Sequence, residues 1–110
     1  MSLDFDLFYV CDDNEITVYD RNITHNLATM ADKAGIYYAL WRPEEKGYKQ
    51  AKDIIPILEG GLRELRTRKK YFEEFNAKNG WGLYEHFVPF VESVLNACYQ
   101  YPSAFLRAGR

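Results

Sequence analysis

Apolar and polar positions alternate at the start of the chain. Leu3, Phe5, Leu7, Tyr9 and Cys11 are interleaved with Asp4 and Asp6, the period of two that lets a strand bury one face and wet the other. Phe8 and Val10 interrupt the polar series, so that part of the strand is expected to be covered on both sides. Cys11-Asp12-Asp13-Asn14-Glu15 is turn chemistry, because Asp and Asn bond their own backbone and tolerate left-handed conformations. Ile16-Thr17-Val18-Tyr19 is β-branched and aromatic and predicts the return strand of a hairpin over residues 3–20.

Beyond the hairpin the period changes to that of a helix. Ile23, Leu27, Met30, Ala31 and Ala34 share one helical face. Asn22 or Thr24 is placed to cap its start, and Gly35 stands where a left-handed residue ends it. A second short helix is expected over Ile36–Trp41, stopped by Arg42-Pro43 because the residue before proline avoids the α region. A third stripe runs through Ala51, Ile54, Ile55, Leu58, Leu62 and Leu65. Asp53 reads as its cap, which would put Pro56 in the first turn. Gly60-Gly61 lies inside that stripe, and each glycine costs roughly 1 kcal/mol there. Unless the helix breaks there, a close approach of backbone is the natural reason for the pair. Tyr71, Phe72 and Phe75 point to a short helix that Asn79-Gly80 ends. The last helix carries Tyr84, Phe87, Val88, Val91, Val94, Leu95 and Cys98 at helical spacing, with Pro89 near its beginning, and packs against the hairpin. Ala104-Phe105-Leu106-Arg107 is extended in character and predicts a third strand.

A small antiparallel sheet, built from the N-terminal hairpin and a C-terminal strand, covered by four or five helices, is an α+β domain. The length of 110 residues suits one domain over residues 1–110. Met1-Ser2-Leu3 fits an expression leader as well as the start of a strand. Hydrophobic residues make up 47% and charged residues 27%, enough apolar surface to offset the entropy of ordering a chain this long. No apolar run approaches the ~20 residues of a membrane span, and the acidic start lacks the basic region of a secretory signal. A cytoplasmic protein without a membrane partner is the expectation.

Two cysteines make no disulfide scaffold and no metal-ligand spacing. Cys11 and Cys98 both fall on apolar stripes and are expected to be reduced, buried thiols. The formal charge of −2 hides an asymmetry: residues 1–20 hold six carboxylates and no Lys or Arg. Arg63, Arg66, Arg68, Lys69 and Lys70 form a basic cluster, which reads as a solvated helix end. With a pI near 5.7, binding to a nucleic-acid duplex is not expected.

No glycine-rich phosphate loop, nucleophile elbow or zincin motif occurs, and no cofactor is implied. None of Ser2, Ser93 and Ser103 has a base nearby in sequence. The candidate chemistry is aromatic and amide-rich, in three groups. Asn22-Ile23-Thr24-His25-Asn26 places polar side chains around a helix start, where free N–H groups favour anions. Tyr37-Tyr38-Ala39-Leu40-Trp41-Arg42-Pro43-Glu44-Glu45 pairs stacking faces with a guanidinium. Gly80-Trp81-Gly82-Leu83-Tyr84-Glu85-His86 holds a Trp on a tight loop. Taken singly, these groups fit a helix cap, a helix terminator and a core plug. Together they suggest one cavity edged by Trp41, Arg42, Trp81 and Tyr84, with Asn22, His25, Asn26 and His86 as polar contacts.

The run Asn22-Ile23-Thr24-His25-Asn26-Leu27, continuing through Met30-Ala31, Ala34-Gly35-Ile36-Tyr37 and Ala39-Leu40-Trp41-Arg42-Pro43-Glu44-Glu45, resembles a family of small proteins of bacteria and their phages, one with no established activity. Asn79-Gly80-Trp81-Gly82-Leu83-Tyr84 and Phe87-Val88-Pro89-Phe90-Val91 carry the same resemblance, which spans most of residues 15–110. It implies a bacterial or phage cytosol and transfers no site residue. By analogy, small proteins in that setting bind a host protein or sequester a signalling nucleotide.

These observations favour a non-catalytic protein that recognises a small polar or nucleotide-like ligand. The alternative is a protein–protein interaction module anchored by Trp41, Trp81 and Arg42. A hydrolase using His25, His86 and carboxylates such as Asp32 or Glu85 is the third reading. The aromatic content also leads us to expect a homo-oligomer, with a two-fold dimer the commonest form.

Overall fold

A computed structural model describes residues 2–110. Strand β1 (Ser2–Cys11) and strand β2 (Asn14–Thr24) form the hairpin, and β3 (Phe105–Gly109) adds to the other side of β1. The sheet is antiparallel throughout, in the order β2-β1-β3. Asp12 and Asp13 both take positive φ, 50° and 65°, the backbone of a two-residue turn whose twist matches that of the strands. Leu7 pairs with Tyr19 and Phe8 with Thr17, so Val18 is the extra residue of a bulge. β2 is longer than the sequence suggests. It absorbs Asn22, a candidate helix cap, and Ile23, expected on the helical face, because Ile23 pairs with Leu3 and turns into the core. Ile23 and Leu27 share a helical spacing by coincidence, each reaching the core from a different element.

Thr24 is the cap foreseen. Its Oγ1 accepts from the Asn26 N–H at 3.2 Å, and a 3-10 turn (His25–Leu27) leads into α1 (Ala28–Lys33). Gly35 takes φ +79°, and α2 (Tyr37–Trp41) follows. Helix α3 (Ala51–Thr67) begins one turn earlier than expected. Gln50 is its cap, and the Asp53 carboxylate reaches back to the N–H groups of Lys49 and Gln50, both at 3.0 Å, in a capping box. Pro56 therefore sits in the second turn, not the first; it is exposed, so the Lys52 carbonyl it leaves without a donor can turn to water. Helix α4 (Lys69–Glu73) stops well before Asn79-Gly80. Phe72 is its buried residue, while Tyr71 and Phe75 are half-buried. Helix α5 (Tyr84–Gln100) completes the layer.

Leu3, Phe5 and Leu7 on the inner sheet face meet Phe87, Phe90, Val91, Val94 and Cys98 of α5 in one core, which α3 closes from the far side through Ile54, Leu58, Leu62 and Leu65. The approach of Ala34–Ile36 to α3 explains half of the glycine pair. A Cβ on Gly61 would lie 2.2 Å from Ile36 Cγ2, whereas one on Gly60 would meet nothing within 4 Å. The hairpin outruns the helices. Val10 and Ile16 are 53% and 51% exposed, so no second layer covers this end. Cys11 is exposed as well, not buried: the alternation continues past Tyr9, but no helix remains for it to pack on. No helix among the described residues is long and apolar enough to cross a membrane.

Candidate functional site

The end of the sheet opposite the hairpin turn meets the loop before α5, and a cleft of about 1080 Å³ opens between them. One wall is the end of β2 and the following turn, residues 22–27; the other is Asn79, Gly80, Trp81 and Gly82, with His86 from the first turn of α5. The loop is shaped by its own chemistry. Asn79 Oδ1 accepts from the Trp81 N–H at 2.9 Å, and Gly80 and Gly82 take φ of +79° and +123°, which only glycine adopts freely. Gly82 presses on the opposite wall so closely that a Cβ would lie 2.9 Å from Asn26 Cβ. Asn26 Nδ2 donates to the Trp81 carbonyl at 2.7 Å. The result is a Trp81 side chain held at a fixed backbone yet 71% exposed.

His25 is oriented from behind. Trp41 Nε1 donates to His25 Nδ1 at 2.9 Å; an indole N–H only donates, so Nδ1 is unprotonated and the proton of the neutral ring sits on Nε2. Asn22 spends its amide nitrogen on Ser2 Oγ at 2.8 Å and Asp4 Oδ1 at 2.6 Å. Its Oδ1 makes no hydrogen bond among the described residues.

Two of the three groups singled out in the sequence thus converge, bringing Asn22, His25, Asn26, Trp81 and His86 to one cleft. Three candidate side chains do not line it, and the single cavity edged by all of them is corrected accordingly. Trp41 is only 2% exposed, stacked on Tyr37 at 5.8 Å. It supports the site through His25 and presents no face to a ligand or partner. Tyr84 is buried, with its hydroxyl donating to the Leu65 carbonyl at 2.8 Å and its N–H to Asn76 Oδ1 at 2.7 Å. Arg42 is bound elsewhere, its Nε donating to Tyr37 Oη and its Nη1 to Glu45, both at 2.9 Å. Those two partners push its pKa up from the ordinary value. Ser2, Leu27 and Asn79 also line the cleft and lie outside the three groups. The Asn-Gly pair before Trp81 signals the turn but not that the turn faces a cleft, and Ser2 arrives only through the pairing of β1 with β2.

His25 and His86 line the same cleft, yet no group of three or more His, Cys, Asp and Glu side chains fit to hold a metal exists among the described residues. Asp32 lies instead beside Tyr37 and Tyr38 in a separate depression. Ser93 Oγ meets the Tyr19 hydroxyl at 2.8 Å and Arg21 Nη1 at 3.2 Å. Neither is a general base, since burial pushes the Tyr19 phenol up. Comparison with family models, with curated proteins and with solved structures finds no match.

Proposed function

We propose that this is a non-catalytic binding protein that takes a small, planar, polar ligand in the cleft, stacked on Trp81 and hydrogen-bonded by His25, Asn22 and His86. The observation that carries this reading is the exposed indole on a tightly held loop. Leaving so much apolar surface in water is uncompensated within the fold, whereas a planar ligand would gain from covering it. Asn26, Asn79 and Trp41 are then positioning residues, each fixing a group that faces the cleft. The setting we propose is a bacterial or phage cytoplasm, on the resemblance carried by the two segments that form the cleft walls.

Native mass spectrometry of freshly purified protein, followed by saturation-transfer NMR against a set of planar heteroaromatic compounds, tests it. Trp81→Ala should abolish binding while moving stability by no more than about 0.5 kcal/mol, as exposed substitutions do. Arg42→Ala, outside the cleft, should leave binding intact. Unchanged binding in Trp81→Ala would refute the reading. Capture of a protein through Trp81, with no small compound bound, would favour an interaction module instead.

A further inference from the structure

The charge around the cleft narrows the ligand further. Among the described residues that line it, none is Asp, Glu, Lys or Arg. Lys78 precedes Asn79 in the chain but does not line the cleft. At the Asn22 end the cleft adjoins a depression lined by Asp4, Asp6, Asp20 and Arg21, three carboxylates against one guanidinium. Arg107 approaches only Asp6 of these, at 3.5 Å.

Two backbone donors at the helix starts are already committed. The Asn26 N–H at the start of the 3-10 turn bonds Thr24 Oγ1. At the start of α5, Asn76 Oδ1 takes the Tyr84 N–H, and Glu85 supplies a carboxylate in the first turn. Among the described residues the lining offers no Lys or Arg to a phosphate, and the adjoining rim sets three carboxylates against one guanidinium, so a phosphate placed here would leave water for a net repulsive field. An uncharged base loses nothing comparable. Its face stacks on Trp81, and its edge can accept from His25 Nε2–H and donate to Asn22 Oδ1.

We infer that the cleft selects an uncharged nucleobase or nucleoside and discriminates against the corresponding phosphorylated nucleotide. The inference rests on the cleft being a ligand site, as proposed above. Isothermal titration of the intact chain with adenosine, guanosine, cytidine and uridine, each beside its 5′-monophosphate, tests it. At least one nucleoside should bind, with its monophosphate weaker by about tenfold or more. Added salt should narrow that gap, because repulsion from the carboxylate rim is screened. A monophosphate that binds as tightly as its nucleoside, with both lost in Trp81→Ala, would overturn the inference and leave the cleft reading standing. Binding of no nucleoside, while another planar heteroaromatic compound binds through Trp81, would overturn the nucleoside assignment alone. Nucleoside binding that survives Trp81→Ala would overturn both.

Discussion

Trp41 Nε1 and His25 Nδ1 are joined by a 2.9 Å hydrogen bond that ties the core to the cleft. Trp41→Phe would keep most of the buried volume but remove the donor that holds His25 Nδ1 unprotonated. Losing a half-buried hydrogen bond and part of an indole should cost about 2 kcal/mol, lowering the melting temperature by about 8 °C in a domain of this size. Nitrogen chemical shifts should report a single Nε2–H tautomer for His25 in the parent chain and a mixture in the variant. A parent chain carrying its proton on Nδ1 would contradict the geometry from which the site is built.

The two adjacent glycines of α3 should respond with opposite signs. Gly60→Ala meets open space and replaces a poor helix former, so it should stabilise by up to about 1 kcal/mol. Gly61→Ala drives a methyl group into Ile36 Cγ2 and to 3.2 Å from the Ala34 carbonyl oxygen; strain of this kind costs about 1–3 kcal/mol. Urea unfolding of the two variants decides it, and stabilisation by Gly61→Ala would mean that α3 and the 34–36 segment are not held in this contact.

Such positions show what the sequence could and could not reveal. The α+β class was legible because period two and period 3.6 are written in different stretches, in Leu3–Leu7 and in Phe87–Cys98. A tight approach at Gly60-Gly61 was legible too, although not which glycine made it. Boundaries were less so. Ile23 reads as the first residue of a helical face, with Asn22 or Thr24 as its cap, because the strand register that pairs Ile23 with Leu3 is a long-range fact. The convergence of residues 22–26 with 79–82 depends on Gly82 lying against Asn26, again invisible along the chain. Arg42 and Tyr84 carry the right chemistry for a site and yet meet partners within the fold, Tyr37 and Leu65. Residue type alone does not tell a structural hydrogen bond from an available one.

Asp53 should make stability depend on pH. Hydrogen bonds from the N–H groups of Gln50 and Lys49 hold its carboxyl below the usual carboxylate value. Its contribution is fully present above the unfolded value of about 3.9 and is lost as pH falls through the lower folded value. At neutral pH Asp53→Ala should therefore cost about 1 kcal/mol, as losing a helix cap does. The difference between variant and parent should shrink as both are acidified below about pH 4. Urea melts across that range measure it, and a difference that grew on acidification would show that Asp53 does not act through its ionised form.

The two cysteines should separate cleanly under a thiol reagent. Cys98 is buried against the sheet, and burial pushes its thiol up to about 12, so little nucleophilic thiolate exists at neutral pH. Cys11 flanks the hairpin turn and is exposed. One equivalent should react quickly in the folded protein, on Cys11, and the second only at the rate at which the domain opens. Cys11→Ser should abolish the fast phase and change stability by no more than about 0.5 kcal/mol, since the side chain packs on no helix. Cys98→Ser places a hydroxyl in an apolar layer and should cost about 1–3 kcal/mol. Mass spectrometry of the labelled protein, timed against urea, resolves the two phases. Labelling of both sites at one rate would mean that α5 does not seal the inner face of the sheet at Cys98, and the packing of Leu7 and Val94 described above would be wrong with it.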